Sequence, residues 1–296
     1  MRSISLILLL LMAADIFAQS TRPFDIEGHR GTRGWMPENT IPAFEKGLQL
    51  GADTLELDVV VTKDGKLVVS HEPWFSSVIS LDKYGKPIPA ENPRDFNIYK
   101  MTYAEVKQFD VGSLGNKDFP QQQKLKISKP LLVDVFKEID KFARKSKLSR
   151  PRYNIEIKTE PGDDDVFNPK QNVFAKIVFD EITVAKMQKY VTVQSFDVRA
   201  LQEMRKLTKD IPLSLLVANR NGVLKNLRAL GFDPEIYSPN YLLVDPDLVK
   251  ICHGRSIKVL PWTVNEPMDM QKMKLLDLDG IITDYPDRAV EAFRKP

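Results

Sequence analysis

The feature that most restricts this chain is an alternation of short apolar runs with longer amphipathic stretches, sustained from about residue 24 to residue 293. Eight runs read as strands: Phe24–Gly28, Thr54–Val61, Tyr153–Lys158, Tyr190–Phe196, Leu213–Ala218, Glu235–Tyr237, Lys258–Val264 and Gly280–Thr283. Helical spacing lies between them, as in Ile41–Leu50, Leu131–Lys145, Val173–Lys189, Val198–Leu207 and Asp287–Phe293. A strand followed by a helix must cross back before it can pair with a parallel neighbour, and eight such units make a (β/α)8 TIM barrel. A doubly wound open sheet uses the same units and is the competing architecture. One interval breaks the rhythm. From Glu72 to about Lys126 the chain carries Pro73, Pro87, Pro89, Pro93 and Pro120, with Tyr103–Gln108 its one short helical piece. It reads as a small insertion after the second strand, at about residues 72–126, lying over one barrel mouth.

The first residues have a different character. Met1, Arg2 and Ser3 precede an apolar run, Ile4 to Met12, and a small-residue tail ending at Ala18. This is the layout of a secretory signal peptide, with an apolar core shorter than the roughly 20 residues of a transmembrane helix. The expectation is a signal peptide over residues 1–18 and a folded domain over 19–296. The product would be exported, to a bacterial periplasm or secreted, with no stable membrane insertion after cleavage; an uncleaved anchor is the alternative. A single cysteine, Cys252, allows no internal disulfide, so the core must hold the fold. The balance of 43 Lys+Arg against 40 Asp+Glu implies no nucleic-acid partner. Oligomeric state leaves no mark in the sequence.

Chemistry gathers at the strand ends. On the second strand Glu56-Leu57-Asp58 sets two carboxylates two residues apart, on one face, and Glu156-Ile157-Lys158 repeats the device on the next. Three acids converging in a barrel mouth carry a heavy desolvation cost unless a cation or several donors compensate. An all-oxygen set suits a hard divalent ion, Ca²⁺ or Mg²⁺, better than Zn²⁺. Solvated charge on an edge strand is the plainer explanation of the same pattern. Of three histidines, His29 and His71 stand where strand runs give way to loops. Summing Glu56, Asp58 and Glu156 with a divalent ion, Arg30 and Lys158 leaves one positive charge, a match for a phosphodiester. Arg30 offers the phosphate a planar fork and Lys158 a point charge. Two imidazoles then suit proton transfer to and from the reacting oxygens.

These residues fall within seven collinear motifs. They are His29-Arg30-Gly31; Pro37-Glu38-Asn39-Thr40; Glu56-Leu57-Asp58-Val59 with Thr62-Lys63-Asp64-Gly65; Val68-Val69-Ser70-His71; Asn154-Ile155-Glu156-Ile157-Lys158; Trp262-Thr263-Val264-Asn265; and Thr283-Asp284-Tyr285-Pro286. Together, from about residue 24 to 290, they resemble glycerophosphodiester phosphodiesterases. The resemblance implies a TIM barrel with an insertion after the second strand and His29 and His71 as the acid/base pair. It also implies one divalent cation held by Glu56, Asp58 and Glu156, with Arg30 and Lys158 meeting the phosphate. The implied reaction turns a small glycerophosphodiester into glycerol 3-phosphate and an alcohol, with the substrate's own 2-hydroxyl as the attacking group. One departure stands out: Glu72 follows His71 where family members usually have Asp.

Other residues have plainer readings beside functional ones. Trp262 and Phe196 could line a glycerol pocket or fill core. Asp284 reads as an orienting hydrogen-bond partner, Asn39 or Thr40 as a helix cap, His253 as structural and Cys252 as a buried small side chain. Asp25 and Glu27 lie early on their strand, below the mouth. Two rivals remain open at this point: a lysophospholipase D-like phosphodiesterase, which would need an apolar surface around the mouth, and a non-catalytic phosphodiester-binding protein.

Overall fold

The computed structural model describes residues 24–294, so the signal-peptide expectation for residues 1–18 lies outside the described residues. The strands are β1 (Asp25–Gly28), β2 (Thr54–Val61), β3 (Leu67–Val69), β4 (Arg152–Ile157), β5 (Val191–Ser195), β6 (Leu213–Val217), β7 (Ile236–Pro239), β8 (Lys258–Val259) and β9 (Gly280–Thr283). The α-helices are α1 (Ile41–Gln49), α2 (Tyr103–Val106), α3 (Leu132–Lys145), α4 (Gln171–Val184), α5 (Val198–Leu207), α6 (Val223–Leu230), α7 (Pro246–His253), α8 (Pro267–Lys274) and α9 (Pro286–Arg294).

Eight strands pair in parallel in the order β8-β7-β6-β5-β4-β2-β1-β9. The two ends of that row meet. Asp279 N–H donates to Val259 O (3.2 Å), Ile282 N–H to Pro261 O (2.9 Å) and Val264 N–H to Ile282 O (2.9 Å). The sheet is a nearly closed (β/α)8 TIM barrel, not the open doubly wound alternative. The β8 segment is shorter than the sequence suggested, because Pro261 has no N–H to give to a ladder.

Strand parity builds two environments. On β2 and β4 the residues Leu55, Leu57, Val59, Ile155 and Ile157 turn outward into an apolar layer with Phe136, Ile139, Phe174 and Val178 of the helices. Residues between them turn inward. Because both faces are covered, all eight residues of β2 are buried although polar and apolar alternate along it.

The sequence reading of eight strands needs one addition. Strand β3 returns antiparallel against the end of β2, pairing Val59 with Val69 and Val61 with Leu67. A hairpin turn makes this possible: Thr62 Oγ1 donates to Asp64 Oδ1 (2.7 Å) and accepts from Lys66 N–H (2.9 Å), while Gly65 takes φ +72°. The irregular segment that follows carries α2 and a core of its own, in which Phe75, Ile88, Ile98, Val106 and Phe109 pack on Val60 and Val68. Phe75 and Phe109 stack with ring centres 3.9 Å apart. Among the described residues no helix is long and apolar enough to cross a membrane.

The parity argument makes a stability prediction. Ile155→Ala should cost about 2–5 kcal/mol in urea unfolding, whereas Val184→Ala, at a position 83% exposed, should change stability by less than about 0.5 kcal/mol.

Candidate active site

The C-terminal ends of β1, β2, β4, β5, β8 and β9 surround a cavity of about 170 Å³ whose walls include His29, Arg30, Glu56, His71, Glu156 and Trp262. Barrel enzymes place their chemistry at this end, where loop residues are free to vary over a rigid frame. A larger cleft, about 290 Å³, lies between the loop after β6 and α7, and no histidine lines it.

His29 follows β1 in a sharply bent loop. Arg30 has φ 50° and Gly31 φ 87°, and a Cβ on Gly31 would stand 2.6 Å from the Ala43 backbone, so the loop packs directly on α1. The His29 Nδ1 lies 2.7 Å from Asp284 Oδ1, just past β9. Asp284 is fully buried and is itself held by Arg33 Nε and Nη2 (both 3.0 Å) and Asn265 Nδ2 (2.7 Å). Burial pushes the His29 imidazolium down to about 4, against the pull of Asp284 and with help from the Arg33 and Arg30 charges. The ring is therefore neutral near pH 7. Burial works against the Asp284 carboxylate, but His29 and Arg33 hold it well below the usual range.

His71 stands two residues beyond β3, at the root of the insertion. Its Nδ1 lies 2.8 Å from Glu72 Oε1 and its Nε2 lies 3.2 Å from Lys158 Nζ. Glu72 therefore occupies the place in its pair that Asp284 occupies beside His29. Although burial opposes ionisation, the His71 hydrogen bond and charge draw Glu72 down to about 2.

Glu56, Asp58 and Glu156 each offer an oxygen such that all three lie within 4.8 Å of one another, and all three residues are buried. Register explains the meeting: Asp58 pairs with Glu156 across β2 and β4. Both oxygens of Glu56 have donors, Arg30 N–H to Oε2 (2.8 Å) and Gln194 Nε2 to Oε1 (2.9 Å). Asp58 accepts from Asn39 Nδ2 (2.8 Å), and Glu156 Oε1 pairs with Lys158 Nζ at 2.9 Å. Burial, then the charges of Asp58 and Glu156, drive the Glu56 carboxyl well above its usual range. Burial likewise raises Glu156, with Lys158 offsetting part of the effect. Asp58 goes the other way: burial is outweighed by His71, Arg30 and Lys158. The excess of negative charge at Glu56 and Glu156 fits a divalent cation, and the donor set is all oxygen.

Arg30 gives Nη1 to Glu38 Oε1 (2.7 Å), while its Nε lies 3.6 Å from Asp58 Oδ2 and is buried without a hydrogen-bond partner. That nitrogen is a spare donor inside the site. Trp262 anchors its Nε1 on Ser238 O (2.9 Å) and meets Phe196 edge-on, ring centres 5.3 Å apart, so both rings form cavity wall.

The structure thus brings together all eight predicted site residues: His29, His71, Arg30, Lys158, Trp262, Glu56, Asp58 and Glu156. Sequence reasoning left out Gln194, Arg33 and the bond between Asn39 and Asp58, and it did not include Glu38, Glu72 and buried Lys129 in the charge sum. Those three cancel the predicted surplus of one positive charge, since each faces the Arg30 and Asp58 group. Gln194 had a signal, a long polar side chain on the strand face opposite Val191 and Val193, which pack into the apolar layer. Thr40 caps α1 through its bond from Ala43 N–H (3.4 Å). Away from the site, His253 binds Asp279 (2.9 Å) and burial pushes the Cys252 thiol up to about 12.

The sequence profile of the Glycerophosphoryl diester phosphodiesterase family matches residues 29–288. The chain is 31% identical over 268 residues, 90% of this chain and 96% of its relative, to a glycerophosphodiester phosphodiesterase of Caldanaerobacter subterraneus subsp. tengcongensis. A solved structure from Silicibacter pomeroyi, named for the same type of activity, shares 30% identity at a TM-score of 0.80, over 92% of this chain and 93% of that one. An Oleispira antarctica phosphodiesterase, solved with the product sn-glycerol-3-phosphate, has the same fold at 22% identity, with a TM-score of 0.72 over 93% of this chain and 98% of its own. Nearly closed barrel, collinear motifs and similarity over nine-tenths of the chain agree, and this chain belongs to the glycerophosphoryl diester phosphodiesterase family.

Proposed function

We propose that this protein hydrolyses small glycerophosphodiesters to glycerol 3-phosphate and an alcohol, using His29 and His71 for proton transfer. The observation that carries the reading is the pairing of two imidazoles, each tied through Nδ1 to a carboxylate, in one site with three crowded acids. Such ties fix the ring orientation and direct proton exchange to Nε2.

Glu56, Asp58 and Glu156 would hold one divalent cation, Ca²⁺ or Mg²⁺, which when bound supplies charge stabilisation and makes a coordinated hydroxyl more acidic. Arg30, on the cavity wall, and Lys158, through an ammonium already beside His71, bind the phosphate. His29, neutral near pH 7, accepts at Nε2 the proton of the attacking oxygen, assigned here to the substrate's own glycerol 2-hydroxyl. His71 delivers a proton from Nε2 to the departing alcohol. In the second half of the reaction the roles exchange: His71 takes a proton from water as it opens the cyclic phosphate, and His29 returns one to the 2-oxygen. Trp262 and Phe196 shape the wall that receives the glycerol carbons. The export reading is carried with the proposal: residues 1–18 serve as a signal peptide, and N-terminal sequencing of protein secreted by a bacterial host checks it.

A coupled assay for glycerol 3-phosphate release tests the reaction. Chelation should abolish turnover and Ca²⁺ or Mg²⁺ should restore it; a rate untouched by chelator would remove the role given to the three carboxylates. A diester without a vicinal hydroxyl should react far more slowly than glycerophosphocholine, and equal rates would exclude attack by the 2-hydroxyl.

The histidine roles have a separate test. His29→Ala and His71→Ala should each lower kcat by about 10²–10⁴-fold. With p-nitrophenol as the leaving group, which departs without a proton, His71→Ala should regain most of the lost rate of the first step and His29→Ala should not. The opposite pattern would exchange the two assignments.

A further inference from the structure

Beneath the mouth, four polar side chains on four strands form one line. Glu27 on β1, Asn154 on β4, Gln194 on β5 and Glu56 on β2 are each at most 2% exposed. Asn154 Nδ2 donates to Glu27 Oε2 (2.7 Å) and to Gln194 Oε1 (3.0 Å), and Gln194 Nε2 donates to Glu56 Oε1 (2.9 Å). The direction of the line is set from its lower end. Burial pushes the Glu27 carboxyl up to about 8, and its Oε2 is the acceptor here: Asn154 presents its amide nitrogen to it, leaving Asn154 Oδ1 buried without a hydrogen-bond partner, while Gln194 presents its carbonyl to Asn154 and its amide nitrogen to Glu56. A turned-over Gln194 would set donor against donor at Asn154 and a carbonyl against the ionised Glu56 that a cation requires. Buried, neither mismatch finds water to relieve it.

From this we infer that Gln194 is a positioning residue for Glu56, and that Asn154 and Glu27 act on the site by fixing the sense of the Gln194 amide. The inference rests on the reading that Glu56, Asp58 and Glu156 hold a divalent cation. Arg30 N–H already fixes Glu56 Oε2, so the Gln194 donor at Oε1 locks the plane of the carboxylate. A ligand locked before the cation arrives loses less freedom on binding, and partners of this kind affect metal affinity strongly. The sequence reading set Glu27 apart as too low on its strand to act in the mouth; through two amides it reaches the mouth without entering it.

Calorimetric titration of the chelator-stripped, otherwise intact protein with Ca²⁺ and with Mg²⁺ tests this without any turnover. Gln194→Met, or Gln194→Leu, should weaken binding of whichever ion the wild type takes by about 10–100-fold, while the melting temperature of the cation-free protein stays within a few degrees of wild type. Asn154→Leu should weaken it too, and the double variant should bind no more weakly than the Gln194 variant alone, because Asn154 acts through Gln194. Wild-type affinity in a folded Gln194 variant overturns the inference while leaving the cation site standing. Fully additive losses in the double variant overturn the link through Asn154. If the wild type binds neither ion, the cation reading fails and this inference falls with it. If neither Gln194 variant folds, the amide serves the fold rather than the ligand, and the inference is again overturned.

Discussion

Three carboxylates within 4.8 Å of one another, buried in a barrel mouth, repel strongly, and most of the polar architecture around them answers that repulsion. Lys158 sits on Glu156, the Arg30 guanidinium faces Asp58 and its backbone N–H meets Glu56, Asn39 serves Asp58, and Gln194 serves Glu56. Even so, Glu56 and Glu156 remain harder to ionise than free acids. Protein donors alone compensate incompletely, and this is the physical ground for a cation there. The same crowding sets the strand parity: were β2 displaced by one residue, Leu57 would face the mouth and Glu56 the helices.

Much of this was legible from residue order. Inward acids at Glu56, Asp58 and Glu156 follow from period-two alternation on strands whose other face is Leu57, Ile155 and Ile157, and a run of strand and helix units leaves few folds open. Residue order was weaker where partners come from distant strands. Asp284 lies 255 positions from His29, and only closure of β9 against β1 brings them together. Gln194 is one of three polar residues on a short strand until the barrel shows that its amide reaches Glu56. Helix α8 carries a weak signal for another reason: only Met270 and Met273 of its eight residues are buried, so its apolar stripe is thin. The β3 hairpin was obscured because its apolar triplet is shorter than an ordinary strand.

The departure at Glu72 acquires a physical sense in this setting. A Glu side chain is one methylene longer than Asp, and here it folds back to the imidazole of the preceding residue at 2.8 Å. Its extra length thus places a carboxylate on Nδ1 of His71. Lys129, buried at the junction with α3, adds a positive charge near Glu72 and Glu38.

The two imidazoles are mounted on different parts of the molecule. His29 is tied to the seam where β1 meets β9, whereas His71 leaves β3 and enters a segment seated by its own small core, with Phe75 against Phe109. The gap between the imidazoles is therefore a dimension between two bodies, set by how firmly that small core packs onto Val60 of β2 and Val68 of β3. Tightening or loosening that packing would retune the span between the imidazoles while every polar side chain of the site stayed the same, so drift in an apolar residue of the small core can be felt at the barrel mouth.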